Sequence, residues 1–149
     1  MNLKDKINAD LKEAMKSKDK IKLNTIRSIR ALILDFEKSG AAKELTQDDE
    51  IKMLSSAAKK RREAIEQYEK AGRLELAENE KFELNVIEEY LPKQLTEDEI
   101  LKNVKSLALE VGASTKADFA KLMPVVIKTL KGKADGNVIR KMVELVLGD

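Results

Sequence analysis

The sequence predicts an all-α fold: an N-terminal helical domain built around a long helical hairpin, then a small C-terminal domain of three to four helices. Three observations predict it. Charged residues make up 38% of the chain and aromatic residues only 3%, which suits helices with aliphatic seams and leaves little for β-strands. Apolar residues recur at three- and four-residue steps, the spacing of one helix face. Capping residues and glycines fall between those periodic runs, and Pro124 is the one breaker inside a run.

The elements follow in order. The first helix runs from about Asn2 to Lys16, with Leu3, Ile7, Leu11, Ala14 and Met15 as its stripe. Ser17-Lys18-Asp19-Lys20 is a turn in which Asp19 caps the next helix. That second helix, about Lys20 to Lys38, carries Leu23, Ile26, Ile29, Leu32, Ile33, Leu34 and Phe36 round much of its girth. A helix so widely apolar should be central, covered on several sides. Ser39-Gly40-Ala41-Ala42 reads as a mobile loop.

Thr46 opens a long charged helix, with Asp48 and Asp49 at the positive end of its dipole. Ile51, Leu54, Ala58, Ile65 and Tyr68 form a near-heptad seam, flanked by Ala57, Ala64 and Ala71, whose small side chains admit a second helix. Gly72 fits the left-handed residue past a helix end. The return helix carries Leu76, Ala77, Leu84, Ile87 and Leu91. The hairpin so defined spans 47–91, and Pro92 closes an N-terminal domain of residues 1–92 because proline supplies no N–H and disfavours helix before it.

Arg61 interrupts the seam of the hairpin's first helix. Glu80 stands on the stripe of the return helix and Glu83 beside it. Folding back at Gly72 sets Arg61 level with Glu83. Two readings follow: an inter-helix ion pair that fixes register, or a groove whose wall carries Arg61. Arg27 and Arg30 interrupt the second helix and carry the same choice, as partners for glutamates of the hairpin or as cations aimed at phosphate. The run Lys59-Lys60-Arg61-Arg62 fans round the helix and cannot meet one ligand; solvation and local pairs with Glu63 and Glu66 account for it.

The C-terminal domain occupies 96–149. Thr96-Glu97-Asp98-Glu99 is a capping box that opens a helix with Ile100, Leu101, Val104, Leu107 and Ala108 inward. Ser114 or Thr115 caps the next helix, with Phe119, Leu122, Met123, Val126, Ile127 and Leu130 on its stripe. Pro124 within it must kink the helix or start a new one. After Gly132, Asp135 caps a last helix that buries Val138, Ile139, Met142, Val143, Val146 and Leu147.

Several function classes are excluded. The chain has no cysteine and no histidine, which removes disulfide frameworks, the usual zinc sites and histidine-based nucleophilic catalysis. No glycine-rich phosphate loop is present, and Ser55-Ser56 beside Lys59 and Lys60 lacks an amidase setting. No catalytic residue, metal ligand or cofactor is therefore assigned. No apolar run approaches a membrane span, and the N-terminus is charged from Lys4 onward, so the expected compartment is the cytoplasm. Net charge is only +2, but charge is segregated: residues 128–141 hold five basic residues against Asp135, and residues 73–99 hold nine acids against three basics.

Residues Arg61-Arg62-Glu63-Ala64-Ile65-Glu66-Gln67-Tyr68-Glu69-Lys70-Ala71-Gly72-Arg73, then Leu91-Pro92-Lys93-Gln94-Leu95, then Lys131-Gly132-Lys133-Ala134-Asp135-Gly136 resemble, in order and spacing, the YqeY family of bacterial proteins. Leu23-Asn24-Thr25-Ile26-Arg27 extends the match, with isoleucine where the family more often has leucine. The family is similar to the tail of GatB, a subunit of the tRNA-dependent amidotransferase, a carbon–nitrogen ligase with glutamine as amido-N-donor. A related helical module precedes the catalytic core of some glutaminyl-tRNA synthetases. The resemblance implies a two-part helical fold and contact with tRNA, with chemistry left to a partner enzyme of the tRNA-processing or amidotransferase kind.

With that resemblance, the expected RNA-binding residues are Lys128, Lys131, Lys133, Asn137, Arg140 and Lys141, around the last inter-helix connection. Such contacts would follow backbone shape, with no aromatic placed to stack on bases and Asp135 occupying the N–H groups of the last helix. The alternative function is a protein-interaction module that uses the charged hairpin.

Overall fold

A computed structural model describes residues 2–40 and 44–148. Among these residues there are seven α-helices, one 3-10 turn and no strand, so the protein is all-α. The helices are α1 (Leu3–Ser17), α2 (Lys20–Lys38), α3 (Gln47–Lys70), α4 (Leu74–Glu88), α5 (Glu97–Val111), α6 (Phe119–Thr129) and α7 (Gly136–Leu147), with the 3-10 turn at Lys116–Asp118 before α6. The chain divides into two compact units, residues 1–91 and 92–149, each with its own aliphatic core.

In the first unit α2 packs between α1 and α4, and α3 lies along α4. Ile7 and Ala14 of α1, Ile26, Ile29 and Ile33 of α2, Leu54, Ala57 and Ala58 of α3, and Val86, Ile87 and Leu91 interlock as its core. Each fully buried isoleucine or leucine contributes about 1.5–3 kcal/mol relative to exposure. Thr25 is the buried polar side chain there, and its hydroxyl donates to the Ile21 carbonyl at 2.7 Å. Met15, expected on the α1 stripe, is 51% exposed, because it lies a residue past buried Ala14 and so turns off the face that Leu3, Ile7 and Ala14 bury.

Local chemistry sets the helix ends. Asn2 Oδ1 accepts the Asp5 N–H at 2.9 Å, a cap the sequence reading left unassigned, and Asp19 accepts from Lys22 at 3.1 Å. Thr46 and Asp49 form a full capping box. At the far end of α3 the Gly72 N–H donates to Glu69 O and the Arg73 N–H to Tyr68 O, with Gly72 at φ +73°, where a side chain would clash with its own backbone. The expected loop at Ser39–Ala42 lies partly outside the described residues, which exclude Ala41 and Ala42.

In the second unit α5, α6 and α7 pack pairwise. Ile100, Val104 and Ala108 meet Leu122, Val126 and Leu130 of the α6 segment and Ile139, Met142, Val143 and Leu147 of α7. Thr96 accepts the Glu99 N–H at 3.2 Å, but the Glu99 carboxylate takes the Thr96 hydroxyl and not its N–H. Asp118 accepts the N–H groups of Ser114 and Thr115 at 2.9 and 3.1 Å, which holds its carboxyl below the ordinary carboxylate range.

Helix α6 continues through Pro124, so of the two alternatives a new helix does not start there. The hydrogen bond that Pro124 forfeits would go to the carbonyl of exposed Ala120, where water can replace it. One expectation for α6 needs correction. Ile127, placed inward by periodicity, is 47% exposed, because α5 and α7 cover only the strip through Leu122, Val126 and Leu130.

Candidate nucleic-acid interface

The predicted basic residues gather at the connection between α6 and α7. Lys128 is on the last turn of α6, Lys131 and Lys133 are in the connection, and Asn137, Arg140 and Lys141 are on the first turns of α7. Lys128, Lys133, Asn137, Arg140 and Lys141 are exposed. Asn137, Arg140, Lys141 and Glu144 follow an i, i+3, i+4, i+7 pattern and so share the outer face of α7. Their inner counterparts Ile139, Met142 and Val143 fix that orientation by burial.

These cations are not equivalent. Lys128, Lys133 and Lys141 form no ion pair among the described residues. Arg140 Nε is 3.2 Å from Glu144 one turn on, an exposed pair worth a few tenths of a kcal/mol (about 0.3–0.5) that competes with any external anion. Lys131 is half-buried and already takes part in another polar interaction. Asp135 stands at the N-cap position with extended backbone, yet its side chain makes no capping hydrogen bond. The expectation that it occupies the α7 N–H groups is therefore corrected; its side chain is engaged in a different interaction.

The connection itself is pinned. Gly132 adopts φ +76°, which turns the chain out of α6. Gln94 Nε2 donates to the Gly132 carbonyl at 2.7 Å and to the Pro92 carbonyl at 2.8 Å, and the Leu95 N–H donates to the Lys133 carbonyl at 2.8 Å. The segments Pro92-Lys93-Gln94-Leu95 and Lys131-Gly132-Lys133 thus lie side by side, although 38 residues separate Gln94 from Gly132. Sequence reasoning missed the place of exposed Lys93 beside this turn. No periodicity links two loops; only the hydrogen bonds do.

Phe119, read as a stripe residue, is only half-buried and lines an open cleft of about 470 Å³ with Lys116, Arg140, Glu144 and Leu147. Phe119 still packs on the second core, as a stripe residue should, with part of its side chain open to this cleft. Burial of Phe119 is incomplete because the 3-10 turn before it leaves the start of α6 at the edge of the core.

The second group of candidate residues lies in the first unit. Arg61 Nε sits 3.6 Å from Glu80 and 3.5 Å from Glu83, both on α4. It is sealed from water and has no well-aligned acceptor, so these are ion contacts without hydrogen-bond geometry. Arg61 Nη2 reaches Ser28 Oγ of α2 at 3.5 Å, and Arg61 lines a cleft of about 200 Å³ with Ser28, Leu32, Met53, Ser56, Ala57 and Lys60. Burial, and then the charge of Glu83, pushes the Glu80 carboxyl above its ordinary value. Arg30 pairs with none of the hairpin glutamates; its Nε donates to Asn8 of α1 at 3.3 Å. Arg27 is exposed and forms no ion pair among the described residues. Both arginines are exposed, because the buried face of α2 is taken by Ile26, Ile29 and Ile33.

Among the described residues no acidic cluster is arranged to hold a metal ion, and no helix is long and apolar enough to cross a membrane. The geometry defines an all-helical protein that carries its charged groups on helix faces and at one pinned inter-helix turn. The model of the family described as Yqey-like protein matches residues 4–147, and the chain belongs to that family. It is similar to "Altered inheritance of mitochondria protein 41, mitochondrial" of Pyrenophora tritici-repentis, 36% identical across 96% of this chain and 80% of that protein. An uncharacterised protein of Schizosaccharomyces pombe is 37% identical over 62% of this chain and 74% of its own length. The protein of Lachancea thermotolerans that shares the first relative's name is 32% identical over 70% of this chain and 57% of its own. Two of these relatives are named as mitochondrial proteins.

Proposed function

We propose that this protein is a non-catalytic accessory that binds tRNA or a similarly folded RNA through its second unit and presents it to an enzyme of the tRNA-processing or amidotransferase type. Carbon–nitrogen ligation with glutamine as nitrogen donor then belongs to that partner, and the chain itself needs no cofactor. The observation that carries the reading is the set of exposed lysines without ion pairs, Lys128, Lys133 and Lys141, around one pinned turn. Unpaired lysines attract phosphates and read backbone shape more than base identity. The compartment proposed is the cytoplasm; the names of two relatives place those proteins in mitochondria.

The test is a filter-binding titration of the full chain with total tRNA at two salt concentrations. The reading expects micromolar or weaker binding whose affinity falls steeply with salt, and a further loss on reversing Lys133 and Lys141 together. No binding at low salt would sink it. A second reading, docking of a partner protein on the hairpin, is favoured by exposed Leu74 and Phe82, which share a broad face of α4 with Glu78. Affinity capture of a stoichiometric protein with no nucleic acid would support that second reading.

A further inference from the structure

The proposed RNA site draws only on residues from Lys128 onward. The hydrogen bonds of Gln94 change its composition. A side chain that donates to both the Pro92 and Gly132 carbonyls ties the Pro92–Leu95 stretch to the Gly132 turn. The Leu95 N–H bond to Lys133 O adds a third tie between the same two stretches. The backbones are then one hydrogen bond apart, the spacing of paired strands, roughly 5 Å. Lys93 follows Pro92, whose ring fixes φ, and precedes the anchored Gln94. Lys93 and Lys133 are both exposed and form no ion pair among the described residues. The two stretches that carry these lysines are tied to each other, so the long side chains of both can reach one anion at this turn.

We propose that Lys93 and Lys133 form one composite phosphate clamp, assembled by Gln94 from two distant stretches of chain, and that the clamp's ligand is the phosphodiester backbone of RNA. The inference rests on the RNA reading above and adds Lys93, which that reading omits. The clamp supplies position and charge. It makes no contact with a base edge, so it discriminates poorly between RNA sequences.

The test is a double-mutant cycle on the full-length protein with total tRNA, read as affinity and as the dependence of affinity on salt. Lys93→Glu and Lys133→Glu are each expected to weaken binding several-fold and to make the salt slope shallower by about 0.7–0.9, the loss of one phosphate contact. The double variant is expected to lose clearly less than the product of the two single losses, because both lysines serve the same phosphates. Lys102→Glu, at an exposed site on α5, controls for net charge and should lose less than either. Circular dichroism of each variant confirms folding. The clamp is overturned if Lys93→Glu binds like Lys102→Glu, or if the two losses multiply fully. In either of those cases Lys133→Glu can still bind more weakly, and the RNA reading stands. If the unmodified protein binds no tRNA at low salt, the reading and the clamp fall together.

Discussion

Replacing Arg61 with methionine removes a cation that faces both Glu80 and Glu83 while keeping most of the side-chain volume. At 3.5 Å a unit pair interacts by about 5 kcal/mol at an effective dielectric constant of 20 and about 1 kcal/mol in bulk water. The Arg61 side chain is 19% exposed, which places it between those limits. Breaking a fully buried pair costs about 3–5 kcal/mol, and an exposed one about 0.2–1. The long contacts and the unsatisfied Nε argue for the lower middle of that span, about 2 kcal/mol. For a unit of this size that lowers the melting temperature by about 10 °C.

The assay is urea unfolding followed by tyrosine fluorescence. The chain has two tyrosines and no tryptophan, and Tyr68 and Tyr90 both lie in the first unit, so the signal reports that unit alone. The loss should also depend on pH. Glu80's folded-state value is raised above its ordinary 4.5, so its contribution favours folding fully below about that pH and is lost as pH rises through the raised value. Removing Arg61, which opposes that rise, pushes Glu80 higher still. The cost of Arg61→Met is therefore greatest at pH 7 and above and shrinks as pH falls towards 4.5. A variant within about 0.5 kcal/mol of the parent at pH 7.5, or a loss that does not change down to pH 5, would refute the reasoning.

Two further outcomes are expected. Gln94→Ala leaves the Gly132 carbonyl without its donor and should destabilise the second unit by about 1–2 kcal/mol, with faster hydrogen exchange at the Leu95 amide as the readout. Tyr90→Phe loses the phenol's hydrogen bond to Asp10, which joins the end of the first unit to α1, and should cost about 1–2 kcal/mol in the same fluorescence assay. Burial, and then that bond to Asp10, raises the Tyr90 phenol above its ordinary value. Stability of the parent should accordingly fall as pH rises past about 10, and the phenylalanine variant should lack that loss.

Much of the local structure was legible because its causes lie within a few residues. The helical class follows from spacing: Ile26, Ile29 and Ile33 share a face through backbone geometry alone. Thr46 and Asp49 cap α3, and Gly72 closes it, by contacts three to five residues long. Arg61 and Glu83, each eleven residues from Gly72, come level because a tight turn fixes the register of two antiparallel helices. Periodicity erred where a stripe was wider than its partners could cover, as at Met15 and Ile127. It erred again where a side chain had a nearer partner than the one supposed, as when Arg30 reached Asn8 and not a hairpin glutamate.

The sequence by itself determined that this protein is helical, that it lacks the side chains of the commonest catalysts, and that its charge is segregated along the chain. Those properties depend on composition and on neighbours close along the chain. Only the tertiary structure decided which cations stand clear of carboxylates, that Asp135 does not cap α7, and that Lys93 lies against the Gly132 turn. Each of these depends on groups many residues apart brought within one hydrogen bond, and no local pattern encodes that distance.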